Sequence, residues 1–484
     1  MMRKEEKSMI IEGKNDGGKM TIIAFDDTDS REGMCTTYLM AKLILKLIDE
    51  EIEIIGYPQL VRLNPNIPYK TRGNGALSVQ VGKGDGNRHL IMRWNAKEVY
   101  GYEQEYGHGY EHGYKHEYGH EYKSEHGEIN GDEEHGIEEK VFDLACELVE
   151  EYAEMNIKET EPGVVMFSGK PEGSMYERAI HSMVEIDEAE KFINENHGIF
   201  RKYKNGRGII GASAACAWLP GDHTFELISY RFPERFGSPR EIDEESVKKM
   251  DILCPGTFDN YDHRNRHIAI SPTSPCPVLF GIRGEDIDEL LKVQALVCGE
   301  ESSGFVIFQT NQGTDEHIVR KKIRDLKPYQ SVELSGRVEK EPESIKGGHV
   351  IFSIKDESGA VECTAYEPTK EFRDTVRHLR TGDKIRVYGG VRKKPFTINL
   401  EKFEVLELAK RKRKLANPEC PECGTRMKSI GKDQGFRCKK CKRKAGEDEA
   451  VFEVFNPGIK KGWYEVPVCA RRHLAKPLKR IKKE

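Results

Sequence analysis

No apolar run in this 484-residue chain reaches the ~18 residues that a membrane-spanning helix needs. Residues 1–18 mix Lys, Glu, Asp and Gly and lack the apolar stretch of a secretory signal, so the expected location is the cytoplasm. The pattern GxxxxGK[ST] is missing too, which excludes a Walker P-loop as the means of handling phosphate. Disulfide-framework spacing is also absent: of 12 cysteines, four fall in two CxxC pairs and the rest stand singly, as in a reducing compartment. The length is too great for one core and predicts three or four domains at ~100–200 residues each.

A net charge of −5 argues by itself against a polyanionic partner, but the distribution reverses this. From residue 410 onward 23 Lys and Arg stand against 9 Asp and Glu, so this end carries +14 and the remainder −19. A basic tail on an acidic body is the asymmetry of a chain that holds nucleic acid at one end.

Residues 20–26 (MTIIAFD) read as a strand running into carboxylates, and 33–49 has the apolar spacing of a helix. Strand-like stretches follow near 52–56 and 76–81, and a helix is predicted over 141–152. Between them, at 100–136, Tyr106, Tyr110, Tyr114, Tyr118 and Tyr122 recur every four residues among His108, His112, His116 and His120. Gly107, Gly109, Gly113 and Gly119 would each cost a helix ~1 kcal/mol, so a low-complexity insertion is the reading. We divide the chain into an extension (1–19), a first catalytic domain (20–160) carrying that insertion, and a second α/β domain (161–325) with the glycine-rich NGRGIIG at 205–211. Over 326–408 a strand–strand–strand–helix–strand order, the helix at 370–379, predicts an OB-fold barrel. A zinc ribbon and basic tail fill 409–484, making the fold class a multidomain α/β and α+β catalytic half followed by an OB-fold and a ribbon.

Cys420, Cys423, Cys438 and Cys441 form two CxxC knuckles with 14 residues between them. Each knuckle turns two thiolates to one side of an ion, and two knuckles close a tetrahedron, which predicts a structural Zn²⁺. Lys439, Lys440, Lys442 and Arg443 surround the second knuckle and offer a surface to phosphates.

Asp26, Asp27 and Asp29 crowd three carboxylates into four residues after an apolar strand. Such a cluster repels itself unless neutralised, and Mg²⁺ on phosphate is commonly held by one or two carboxylates. Thr36 and Thr37 supply hydroxyls at the start of the next helix, while Lys70, Arg72, Gly73, Asn74 and Gly75 join cations to a permissive loop. Together these predict a phosphoryl-transfer site.

On these residues the chain resembles the archaeal 2-agmatinylcytidine synthetase family, TiaS. The stretches FDDTDSREGMCTTYL (25–39), RLNPNIPYKTRGNGA (62–76), YRFPERFG (230–237), PCPVLFGIRGE (275–285), GFRCKKC (435–441) and YEVPVCARRHLAKPL (464–478) match in the family's order. The departures are the 1–19 extension and the 100–136 insertion. The resemblance implies that 20–160 is an ATP-dependent, kinase-like domain and 161–325 a ferredoxin-like domain holding agmatine. It implies attachment of agmatine to C2 of the wobble cytidine in the CAU anticodon of isoleucine tRNA. ATP would end as AMP and two phosphates, through a phosphorylated cytidine, and Thr36 would accept a phosphoryl group. Agmatine is a dication, and Asp222, Glu226, Asp259 and Asp262 are the carboxylates we single out for it. Arg471, Arg472, His473 and Lys476 join the ribbon cations as tRNA contacts, with Phe352, Tyr366, Phe372 and Tyr388 as stacking platforms. No obligate protein partner is evident.

Two rivals remain at this level. A non-catalytic single-strand-binding protein would explain the barrel and ribbon but not FDDTDS or KTRGNG. A ligase that uses lysine in place of agmatine would need an arginine for the extra carboxylate.

Overall fold

The protein's structure is a computed structural model describing residues 20–70, 73–103, 131–409, 412–431, 433–454 and 458–481. The 1–19 extension, Arg72 and residues 104–130 of the insertion lie outside the described residues. The chain forms two compact units, Met1–His317 with Arg471–Glu484, and Ile318–Ala470.

The first unit opens with β1 (Thr21–Asp26), α1 (Thr36–Asp49), β2 (Ile54–Arg62), β3 (Gly75–Val81), β4 (Arg88–Trp94), β5 (Lys97–Tyr102) and α2 (Gly131–Tyr152). It continues through β6 (Gly163–Ser168), α3 (Met175–His181), α4 (Ile186–Glu195), β7 (Ile199–Lys202), α5 (Gly208–Ala217), β8 (Thr224–Arg231) and α6 (Glu244–Leu253). Three short strands, β9 (Thr257–Phe258), β10 (Tyr261–Asp262) and β11 (His267–Ile268), precede β12 (Val278–Gly284), α7 (Ile287–Leu296) and β13 (Ser302–Thr310). One sheet runs β7-β6-β1-β3-β2-β5-β4-β13-β8-β12-β9.

The apolar run at the start of β1 follows from its central place in this sheet. Ile23 and Phe25 enter one core with α1 and α2, while Ile22 and Ala24 enter the opposite core with α3, α4 and α5. A strand covered on both faces must be apolar at successive positions. All ten residues of α5 (GIIGASAACA) are buried, as suits a helix without a polar face.

The sheet passes through the division drawn at 160/161 from the sequence. β6 pairs with β1, Asp26 opposite Gly163, and β13 lies parallel to β2. Residues 20–160 and most of 161–325 thus share a sheet. The ends of the 100–136 insertion are also regular: Tyr100 and Tyr102 pair with Leu90 and Arg88 in the β4–β5 ladder, and α2 begins at Gly131. Among the described residues no helix is long and apolar enough to cross a membrane.

In the second unit β14 (Ile318–Arg320) leads into a barrel of β15 (Ser331–Ser344), β16 (Val350–Asp356), β17 (Gly359–Ala365), β18 (Lys384–Val391) and β19 (Thr397–Glu407). The barrel closes through parallel β17–β19 and antiparallel β15–β18 pairs. The helix predicted at 370–379 is the shorter α8 (Phe372–Val376), inserted between β17 and β18. The ribbon follows with β20 (Lys412–Ala416), β21 (Lys428–Ser429), β22 (Phe436–Arg437), β23 (Lys444–Ala445) and β24 (Val451–Val454). β25 (Gly462–Glu465) then rejoins the barrel beside β19. The expected 409–484 segment therefore divides, since 471–484, with α9 (Leu478–Ile481), belongs to the first unit.

Candidate active site and nucleic-acid interface

The local chain geometry of the first unit turns several element ends toward one cavity of about 510 Å³. Asp26, Asp27 and Asp29 line it from the end of β1, Thr36 and Thr37 from the start of α1, and Arg62 from the end of β2. Gly73, Asn74 and Gly75 enter from the β2–β3 loop and the start of β3.

Glycine makes the closest approaches possible. A Cβ on Gly211 would fall 1.9 Å from Asp26 Oδ2, and one on Gly208 would fall 2.6 Å from the Asp26 carbonyl oxygen. The glycine-rich stretch recognised in the sequence thus lets the first turn of α5 rest on the acidic end of β1. Burial first, then the charge of Asp27, raises the Asp26 pKa well above the usual carboxylate value. A carboxylate so placed calls for a proton or a cation. The Asp27 amide donates to Asp26 Oδ1 at 2.7 Å, and Asp27 Oδ2 accepts from the Glu161 amide at 3.0 Å. Three carboxylates lining one cavity fit Mg²⁺ as a donor set, since hard cations take oxygen ligands.

Thr36 and Thr37 are buried at the first turn of α1. Cys35, the residue before them, provides no side-chain cap, and its Sγ lies 3.1 Å from Thr37 Oγ1. Tyr230 donates to the Thr37 carbonyl at 2.9 Å and so pins this turn from β8. The early amides of such a turn favour negative charge.

The phosphate loop predicted from KTRGNG departs from expectation at Asn74. Its side-chain amide donates to the Asn64 carbonyl at 2.9 Å, and its own carbonyl accepts from Leu63 at 2.9 Å, so Asn74 closes the loop on itself. Lys70 donates to the Pro65 carbonyl. Gly75 stands opposite Arg62 in the β2–β3 register, and a Cβ there would come within 3.1 Å of the guanidinium.

Arg62, Arg207, Arg283 and the side chain of His473 also line the cavity; the first three have no place among the sequence-based site residues. Arg62 and Arg283 sit in RLNPNIPYK and PCPVLFGIRGE, but a single arginine in an apolar strand carries no local signal of its direction. Burial lowers the Arg62 pKa. Asn311 holds this residue's backbone from both sides, accepting from Arg62 N at 2.8 Å and donating to Arg62 O at 2.9 Å. Arg207 lies over the Tyr69 ring at 4.2 Å.

Of the four carboxylates considered for agmatine, Glu226 alone lines the cavity. It faces Arg283 across the β8–β12 register, accepts from Gln312 Nε2, and occupies room left by Gly281, whose Cβ would fall 2.7 Å from Glu226 Oε1. Asp222 instead pairs with Arg480 at 2.7 Å and Lys476 at 3.3 Å. Asp259 pairs with Arg471 and, at 3.6 Å, with Arg283. Asp262 accepts from Asn265 N at 3.0 Å in the turn between β10 and β11.

The C-terminal cations are anchored on the first unit. Beyond the Arg471 and Lys476 pairs, Arg472 donates to Asn66 Oδ1 at 2.6 Å. His473 is exposed, yet its pKa lies well below the ordinary histidine value. The charge of Arg62 is the first cause and desolvation the second, with the charges of Arg283 and Lys70 adding.

In the second unit the four cysteine sulfurs lie within 4.8 Å of one another. Backbone bonds shape both knuckles, Gly424 N to Cys420 O at 2.8 Å and Cys438 N to Arg443 O at 2.8 Å. Four convergent thiols supply a complete tetrahedral donor set and fit a structural Zn²⁺. Lys439, Lys440, Lys442 and Arg443 are exposed around them, and Arg443 pairs with Glu422 at 3.3 Å. Of the four aromatic platforms considered, Phe352 and Phe372 are buried in the barrel core, and Tyr388 is buried against Trp463. Tyr366 is only half-buried, with the Arg392 guanidinium 5.1 Å from its ring centre.

A chain that joins a phosphate-handling cavity to a barrel and ribbon of nucleic-acid-binding type falls in the class of RNA-directed enzymes. Family models agree along its length: the TiaS TCKD domain matches 22–116 and 117–205, and the TiaS FLD domain 206–317. The OB-fold nucleic acid binding domain matches 320–406 and the TiaS C-terminal zinc ribbon domain 417–454. The chain belongs to the TiaS family. It is 40% identical to the tRNA 2-agmatinylcytidine synthetase TiaS of Methanocaldococcus jannaschii, over 96% of this chain and 99% of that one. Identity to the Archaeoglobus fulgidus protein of the same name is 42%, over 96% and 98%. Among solved structures, a complex of TiaS with isoleucine tRNA and ATP superposes with a TM-score of 0.76 at 40% identity, covering 96% of this chain and 97% of that one. A complex of TiaS with the same tRNA, AMPCPP and agmatine gives 0.74 at 37%, with the same coverage.

Proposed function

We propose that this chain is a 2-agmatinylcytidine synthetase of isoleucine tRNA, joining agmatine to C2 of the wobble cytidine and converting ATP to AMP and two phosphates. The reaction replaces a poor leaving group on a pyrimidine ring. Transfer of the γ-phosphoryl group to the C2 oxygen lets it depart as phosphate; the agmatine amine then forms the N–C2 bond, the C2–O bond breaks with its electron pair on oxygen, and the amine gives up a proton, while water cleaves the remaining α–β anhydride to give AMP and the second phosphate.

The observation that carries this reading is the lining of one cavity by Asp26, Asp27, Asp29, Thr36 and Glu226. Asp26, Asp27 and Asp29 would hold Mg²⁺, which when bound neutralises phosphate oxygens. Thr36 presents its hydroxyl at the α1 first turn as acceptor of a transferred phosphoryl group. Glu226 is the carboxylate we assign to an agmatine cation. Cationic exposure around Cys438 and Cys441 and the half-exposed Tyr366 support tRNA binding by the second unit. A tRNA substrate of this kind puts the enzyme in the cytoplasm.

The test incubates the full chain with ATP, agmatine and the CAU-anticodon isoleucine tRNA, then measures the mass of the wobble nucleoside and the AMP formed. Cytidine of unchanged mass, with tRNA bound and ATP untouched, would favour a binding protein. Incorporation of lysine in preference to agmatine would reassign the amine.

A further inference from the structure

The segment 471–481, which follows the ribbon in the chain, is bound to the catalytic unit by more than its charges. Leu474 is buried in the core shared with α3, α4 and α5. Gly313 N donates to His473 O at 2.8 Å, and Asp315 N to Leu474 O at 2.9 Å. Lys476 N donates to Asp315 Oδ1 at 2.7 Å, and Arg480 Nε to Glu285 Oε1 at 2.9 Å. The segment is thus held on both sides of His473, whose ring reaches the cavity.

Around that ring the cavity is positive. After burial, the charge of Glu226 acts most strongly on Arg62, followed by that of Arg283, while Arg62, Arg283 and Lys70 all act on His473. The Nε atoms of Arg62 and Arg283 are buried without a hydrogen-bond partner, and the Arg283 residue is 8% exposed. Like charges withdrawn from water are costly unless an anion joins them. Glu226, opposite Arg283 in the register, and Asp259 compensate in part; Asp259 reaches Arg283 at 3.6 Å and also binds Arg471 of the C-terminal segment.

We propose that Arg62, Arg283 and His473 form a phosphoryl-binding subsite of the catalytic cavity, which the C-terminal segment completes. The inference rests on the reading of the cavity as one that handles ATP, and adds to it an anion pocket apart from the acidic cluster and the 70–75 loop. Glu226 lies opposite Arg283 in the strand register. An amine held by Glu226 therefore stands beside a phosphoryl group held by Arg283, an arrangement suited to displacing phosphate.

Inorganic pyrophosphate alone, titrated calorimetrically into the full chain without tRNA or agmatine, is the probe. Arg283→Gln and His473→Ala each weaken its binding by about tenfold or more, as loss of a charge-assisted contact demands. His473→Asn, which keeps a donor, binds more tightly than His473→Ala. Asp259→Asn, which takes from the arginines the carboxylate that partly offsets their charge, binds pyrophosphate at least as tightly as wild type. Agmatine affinity, titrated separately, stays within about twofold of wild type in the two His473 variants. His473→Ala lies on the surface of a segment anchored elsewhere, so it reports even where Arg283→Gln fails to fold. Unchanged pyrophosphate affinity in His473→Ala overturns the subsite, as does loss of agmatine affinity with pyrophosphate binding intact. Failure of the synthetase reading shows elsewhere, as an unchanged nucleoside mass in the complete reaction.

Discussion

At Asp27 the backbone is left-handed, φ 57°, a conformation asparagine tolerates better than most residues. Asp27→Asn also keeps an oxygen for the Glu161 amide, so what it removes is charge. We expect AMP formation to fall by about 10²–10³-fold, the worth of several kcal/mol of metal-centred stabilisation. Affinity for tRNA should hardly move, because the cations proposed to contact tRNA are residues other than Asp27 and keep their charge. Thr36→Val should remove label transferred to the protein from the γ-position of ATP. Wild-type AMP formation in Asp27→Asn would rule out the acidic cluster as the ATP-handling group. Single residues were unevenly legible in the sequence. Asp26, Asp27, Asp29 and Thr36 stood out because a short loop brings them together. Glu226 was one of four equivalent acids until the β8–β12 register and the gap at Gly281 distinguished it. Arg62 and Arg283 escaped notice because their partner, His473, lies 190 residues or more away along the chain.

Among the elements, those built on local spacing were read most fully. Two CxxC knuckles define the ribbon, and alternation with paired glycines defines the barrel strands. The long sheet was harder, because β1–β6, β2–β13 and β8–β13 join residues far apart and leave no periodic trace. The fully buried α5 reads as a glycine-rich stretch until its contact with Asp26 is known. The ribbon also yields a prediction at this scale. Its small core contains Cys420, Met427, Phe436, Cys438, Ala445 and Ala450, so two metal ligands are themselves core residues. Apparent zinc energies of ~10–16 kcal/mol in zinc peptides far exceed what so few side chains supply. Cys438→Ser should therefore release the metal and unfold 417–454, lowering tRNA affinity while ATP cleavage continues at a reduced rate. Mass spectrometry of the native protein and proteolysis of the ribbon check both; wild-type protein without zinc would remove the claim.

At the scale of the whole molecule, residues 104–130 join β5 to α2 in the chain, and no residue of either element lines the cavity. Deleting it with a short linker, and sparing Tyr100–Tyr102 and α2, should leave turnover within about tenfold of wild type, or 1.4 kcal/mol. A larger loss would assign the Tyr/His/Gly repeat to the reaction. The other feature of this scale is the return of 471–481 to the first unit, which makes Ile318–Ala470 an excursion between two pieces of one catalytic body. During synthesis β13 emerges first, then the whole barrel and ribbon, and only afterwards His473. At ~5–20 residues per second this interval lasts on the order of ten seconds. Throughout it a nascent chain has its acidic cluster and arginines but lacks the imidazole beside them. Translation order thus sets a delay: the cavity gains its last lining residue only after the OB-fold and the zinc ribbon have been made.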